Sequence, residues 1–260
     1  MTRRHVTFSC EGSQLIGTLD TGSADNAATG LLLVTGGNEI RSGAWAGQAL
    51  FAAKVADQGF PVFRFDRRGI GDSEGSNGGF RSSAPDIAAA LAAFRSECPD
   101  VTRIIGFGNC DAASALMLAG GEGLDGLLLS NPWTIEDEDA APPPEAIRDH
   151  YKRRLADPAS IKRLFAGKVA MGKLVGGLRN ALRPAPPPSS LAKEIEAGIA
   201  GYEGPVTFLV AERDRTGQTF LSAWRKDDPR IRICPNATHS YVEPHAREWL
   251  AEQVLDMLRG

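Results

Sequence analysis

The chain has 260 residues, 42% of them hydrophobic and 23% charged. That is long enough for one α/β domain with an insertion and too apolar for a disordered chain. A net charge of −3 and a pI near 5.9 argue against a generic nucleic-acid binder. The composition also excludes a coiled coil, a collagen-like repeat and a small disulfide scaffold.

The first ten residues carry two arginines with no apolar stretch behind them, so no secretory signal is expected. No window approaches 18 consecutive apolar residues, and no transmembrane helix is expected. The cysteines at 10, 98, 110 and 234 form no CxxC pair and lack metal-type spacing. Free thiols in a reducing cytoplasm, with no metal and no cofactor, are the expectation.

Residues 6–10 and 14–19 alternate around Glu11-Gly-Ser and predict an N-terminal hairpin. Residues 31–35 are continuously apolar, as in a strand buried on both faces, and end at Gly36-Gly37. A helix is predicted over 45–58, a strand over 61–66, then a Gly-rich loop over 66–75. A helix over 85–97, a strand over 103–107 and a helix over 111–119 follow. Further strands are predicted at 127–130, 206–210 and 231–234, with a closing helix over 244–258. Strands that alternate with helices imply a mostly parallel sheet covered on both faces, with the hairpin as an antiparallel addition.

The alternation stops between 134 and 204. Within it, residues 148–183 hold ten Lys/Arg against two Asp, a local net of +8 that leaves −11 on the rest of the chain. The expected division is a core over 1–133, a helical cap insertion over 134–204 and a second core part over 205–260.

The stretch Gly108-Asn-Cys-Asp-Ala112 turns a strand sharply into a helix. It has the form G-x-S-x-G, with Cys110 for Ser and Ala112 for the last Gly. Small residues two before and two after the nucleophile let this turn press against neighbouring backbone. A thiolate there would sit at a helix N-terminus, which favours negative charge. A dinucleotide site beginning at Gly106-Phe-Gly108 is the weaker reading, because the third glycine is missing and the next strand does not end in an acid.

In this arrangement the acid and the histidine follow the nucleophile along the chain. Asp214, just past the strand at 206–210, is the expected acid, with Glu212 as the alternative. His239, in the loop after the last strand, is the expected base; His245 should point elsewhere, and His5 and His150 lie in the wrong parts of the chain. An oxyanion hole needs two N–H groups. Asp111 should supply one and Gly37, or failing it Asn38, the other.

Together these residues resemble the α/β-hydrolase superfamily, with Asp66-Arg-Arg-Gly-Ile-Gly-Asp-Ser73 similar to its DxRGxGxS loop. The charges of that loop are expected to hold it by hydrogen bonds. A narrower resemblance, to the exosortase A system-associated hydrolase 1 family, is carried by several segments. They are Gly36-Gly-Asn-Glu-Ile-Arg41, Gly108-Asn-Cys-Asp-Ala-Ala-Ser114, Asn131-Pro-Trp133, His150-Tyr-Lys-Arg-Arg-Leu155 and Ile161-Lys-Arg-Leu-Phe-Ala-Gly-Lys168. This resemblance implies a cytoplasmic bacterial hydrolase linked to envelope polysaccharide, with Cys at the elbow.

The function expected is a cysteine-dependent acyl hydrolase acting on an ester, thioester or lactone through an acyl-thioenzyme. Acyl transfer on the same scaffold and a non-catalytic binding protein are the rival readings. The basic cap suggests a small-molecule or carrier-bound acyl substrate of anionic character. A solvated helix face is the plainer account, and a peripheral membrane contact is the third.

Overall fold

The computed structural model describes residues 1–22, 28–136, 189–225 and 227–260. The hairpin is longer than its alternating centre. Strands β1 (Thr2–Cys10) and β2 (Ser13–Thr21) pair antiparallel along their whole length. Strand β2 then pairs antiparallel with β4 (Val62–Phe65), which joins the hairpin to the main sheet.

From there the sheet is parallel. It continues through β3 (Thr29–Val34), β5 (Arg103–Asn109), β6 (Gly126–Ser130), β7 (Val206–Ala211) and β8 (Ile231–Cys234). The strand order is β1-β2-β4-β3-β5-β6-β7-β8. Between the strands run α1 (Gly47–Asp57), α2 (Ala84–Glu97), α3 (Asp111–Leu118), α4 (Ser190–Ile199) and α5 (Arg215–Ala223), and α6 (Pro244–Arg259) closes the chain.

The apolar strands bury both faces because helices cover both. Successive side chains on a strand point to opposite sides. Leu31 and Leu33 accordingly join Ala52 and Val55 of α1 and Val254, Leu255 and Leu258 of α6 in one core layer. Leu32 and Val34 join the other layer, with Ile87, Leu91 and Phe94 of α2, Leu116 and Met117 of α3 and Phe220 of α5. Completely burying a Leu or Phe side chain contributes roughly 1.5–3 kcal/mol, so these two layers supply most of the drive to fold.

Helix α1 starts two residues later than its pattern predicts. Trp45 and Ala46 take left-handed φ angles of 55° and 56°. The turn before the helix is closed instead by Ala49 N–H donating to the Ser42 carbonyl at 3.1 Å. Helix α5 has no counterpart in the sequence reading. Helix α4 falls in the stretch expected as cap, yet its Leu191, Ala192, Ile195 and Ile199 are buried and it lies against α3. The basic segment 148–183, with His150, lies outside the described residues.

A seam of charge ties the hairpin to the parallel strands. Asp20 is fully buried and accepts from Arg64 Nε at 2.9 Å and from Arg3 Nε. The loop after β4 is held in the same way. Asp66 accepts from the backbone and side chain of Arg41, and Arg68 binds Asp86 and Glu11. The charges of the Asp66–Ser73 loop are thus engaged in hydrogen bonds and ion pairs that hold it.

Candidate active site

Every residue singled out for chemistry lies at the C-terminal ends of β3, β5, β7 and β8. That edge of an open parallel sheet is where ligands bind. β5 ends at Asn109 and α3 starts at Asp111, so Cys110 alone makes the turn, with φ 64° and ψ −128°. A left-handed φ is unfavourable for a side chain bearing Cβ and persists only where the surroundings hold it. Here Cys110 N–H donates to the Ser130 carbonyl at 2.9 Å, and the Cys110 carbonyl accepts from Ala113 and Trp133. Gly108 is what allows so tight a turn: a β-carbon there would lie 2.7 Å from the Ala112 carbonyl carbon and from Ala113 N.

Asp214 and His239 come together. His239 Nδ1 lies 3.0 Å from Asp214 Oδ2. Asp214 is 7% exposed and is also the N-cap of α5, its Oδ2 accepting from Gly217 N–H at 3.0 Å. The imidazole is pushed up to about 10, first by the hydrogen bond to Asp214 and then by one to Cys110, against the opposing effect of burial. Both neighbours thus favour the protonated ring, the form His239 takes once it holds the Cys110 proton.

Glu212 has different work. Its carboxylate accepts from Asn236 N–H at 2.7 Å, three residues before His239. His245, at the start of α6, meets the Pro235 carbonyl at 2.9 Å. His5 lies on β1, with Nδ1 3.4 Å from Thr18 Oγ1.

The other three cysteines are not poised for chemistry. Burial pushes the Cys10 thiol up to about 11, helped by its hydrogen bond to Asp86. It pushes Cys98 and Cys234 upward as well. Among the described residues, no group of His, Cys, Asp and Glu is arranged to hold a metal ion.

Sequence reasoning missed a set of polar side chains that holds the His239 loop. Asn131 is fully buried and adopts φ 42° at the end of β6. Its Oδ1 accepts from Ala211 N–H at 2.8 Å, while its Nδ2 donates to Asn109 Oδ1 at 3.0 Å and to the His239 carbonyl at 3.4 Å. Asn109 Nδ2 in turn donates to the His239 carbonyl at 3.3 Å and lies 3.5 Å from His239 Nε2. Ser130 Oγ and the Tyr241 hydroxyl, 3.0 Å apart, share a hydrogen bond below them. An asparagine between an apolar strand and a proline was the available signal, since Asn tolerates left-handed backbone better than most residues.

The expected oxyanion donors lie where two loops meet. Gly37 (φ 57°) faces the first turn of α3, and its N–H donates to Asp111 Oδ1 at 2.6 Å. Asn38 is exposed, and its Oδ1 accepts from Asn77 Nδ2 at 2.9 Å. Arg67, 3% exposed, reaches beneath this loop: Nη2 donates to the Gly37 carbonyl and Nη1 to Ser83 Oγ at 2.8 Å. Beside Asp214, a cavity is lined by Trp133, Ile135, Arg215 and Thr216.

Comparison with known proteins agrees with this architecture. A model of the alpha/beta hydrolase family matches residues 31–253. No curated protein matches the sequence. Among solved structures, the alpha/beta hydrolase GrgF from Penicillium sp. sh18 is similar with a TM-score of 0.65 at 18% identity, over 100% of this chain and 98% of that one. The Pyrococcus furiosus esterase Pf2001 gives 0.63 at 14% identity, over 99% and 90%. The esterase domain of a Rhodothermus marinus protein gives 0.58 at 14% identity, over 100% and 98%. At such identities the likeness is one of fold.

Proposed function

The chain belongs to the alpha/beta hydrolase family, and we propose that it is an acyl hydrolase of esters or thioesters with Cys110 as nucleophile, His239 as base and Asp214 as the group that orients it. The observation that carries this reading is the 3.0 Å contact between His239 Nδ1 and Asp214 Oδ2, on a ring whose protonated form Cys110 also favours. A nucleophile, a base in reach of it and a third group that fixes the base are what acyl transfer requires.

In the proposed reaction His239 takes the Cys110 proton and the thiolate sulfur attacks the substrate carbonyl carbon. The carbonyl π electrons move onto oxygen, which is met by the N–H groups of Asp111 and Gly37. Collapse of this intermediate breaks the bond to the leaving group, which receives the proton from His239. Water then adds to the thioester, gives its proton to His239 and releases the acid, and Cys110 regains a proton. Trp133 and Ile135 supply the apolar part of a cavity wall that also carries Arg215 and Thr216, a candidate place for the acyl group.

The narrower likeness to the exosortase A system-associated hydrolases adds a bacterial envelope-polysaccharide setting to this proposal. It is supported by the elbow and the Gly36–Arg41 loop, both of which border the site. The test is whole-protein mass spectrometry after incubation with p-nitrophenyl acetate and a panel of acyl thioesters. An acyl adduct that maps to Cys110 and vanishes in Cys110→Ala is expected. Turnover that survives Cys110→Ala would overturn the assignment.

A further inference from the structure

The Gly37 N–H, one of the two donors proposed for the oxyanion, already has a partner inside the protein: the Asp111 carboxylate, at 2.6 Å. A carboxylate oxygen resembles a substrate oxyanion in charge and in its appetite for N–H donors. Two further observations make this contact a position of the side chain rather than a fixed part of the fold. Asp111 Oδ2 stops 3.8 Å from Arg67 Nη2, too far for a direct hydrogen bond. Among the described residues, buried Arg67 Nε has no hydrogen-bond partner, which is costly for a guanidinium.

We propose that Asp111 is a specificity-determining residue that fills the Gly37 half of the oxyanion hole at rest and must swing toward Arg67 before a substrate oxygen can enter. The inference rests on the acyl-hydrolase reading above. A substrate that binds well through its acyl chain, or through the group carrying it, has the most free energy with which to displace the carboxylate. Small activated esters have less of it, acylate Cys110 more slowly, and are discriminated against as in any induced fit. The exchange is non-covalent: Gly37 N–H trades one anionic oxygen for another, and the carboxylate trades that N–H for the guanidinium.

The test compares two reactions of the Cys110 thiol at one pH: acylation by p-nitrophenyl acetate, which uses the hole, and alkylation by iodoacetamide, which does not. The ratio of the two rates cancels any change in thiol reactivity. In Asp111→Ala the ratio should rise about tenfold, a fraction of what one oxyanion donor is worth. In Asp111→Asn, which keeps an acceptor for Gly37 N–H without the charge, the rise should be smaller. A ratio that is unchanged or falls in Asp111→Ala would overturn the proposal.

A measurement on the unaltered chain covers the case of a variant that does not fold. When acetaldehyde forms a thiohemiacetal at Cys110, the carboxyl ¹³C resonance of Asp111 and the Gly37 amide resonance should both move. A bound aldehyde with neither resonance moved would equally overturn it. Failure of the underlying acyl-hydrolase reading looks different: no adduct of any kind forms preferentially at Cys110.

Discussion

One oxygen of Asp214 serves two masters. Oδ2 accepts from Gly217 N–H, which starts α5, and faces His239 Nδ1. Asn caps helices about as well as Asp but cannot hold an imidazolium by charge. Asp214→Asn should therefore lower turnover by about a thousandfold or more while keeping the α5 cap, with the melting temperature falling only by the lost pairing with His239. Asp214→Ala should lose about 1 kcal/mol of stability in addition, read by urea denaturation. Turnover unaffected by Asp214→Asn would return the acid to the open question that Glu212 represents.

The cysteines separate at the same scale. Cys10, Cys98 and Cys234 are pushed upward by burial, Cys10 to about 11. At neutral pH iodoacetamide should modify Cys110 well before the other three, as read by peptide mass spectrometry. Labelling spread evenly over all four would count against a nucleophilic role.

At the scale of elements, the turn from β5 to α3 decides whether the site exists. A β-carbon at Gly108 meets backbone on the far side of the turn at 2.7 Å, and backbone cannot rotate away as a side chain can. Gly108→Ala should therefore destabilise the fold by roughly 1–3 kcal/mol and reduce acylation at Cys110 further than that loss explains. A variant with wild-type stability and acylation would show that the turn has slack.

This turn was legible in the sequence because its demands are local. Small residues at fixed offsets from Cys110 leave a pattern in consecutive positions. The order of Asp214 and His239 after strand ends was legible for a similar reason. The Asn109–Asn131 support of the His239 loop was not, because its members stand on different strands and no spacing connects them. Helix α5 was missed because Thr216, Gly217 and Thr219 are weak helix formers. Its N-cap, Asp214, gives no helix signal of its own in a sequence that points to it as an acid. The boundary of α1 moved because apolar periodicity says nothing about the left-handed pair at Trp45 and Ala46.

For the molecule as a whole, the strained and polar site is supported by two apolar layers and by the buried Asp20–Arg64 seam. Charge within the site also links stability to pH. His239 is raised from an ordinary value of 6.5 to about 10 in the folded protein. Folding then favours the protonated ring, so its contribution is whole below about pH 6.5 and is lost as pH rises toward 10. The melting-temperature advantage of the wild type over His239→Gln should be greatest in mildly acidic buffer and fade across that interval. An advantage that grows with pH would mean the ring is held neutral.

Cys110 and His239 stand far apart in the chain, and β6 and β7 lie between the strands that carry them. The thiol therefore acquires its partner only after distant strands have found their places in the sheet. Long-range pairing of this kind is slow to form. During refolding, the moment at which Cys110 begins to outrun the other cysteines toward an alkylating agent marks the closing of the parallel sheet. Cys110 is thus a built-in clock for the last stage of assembly.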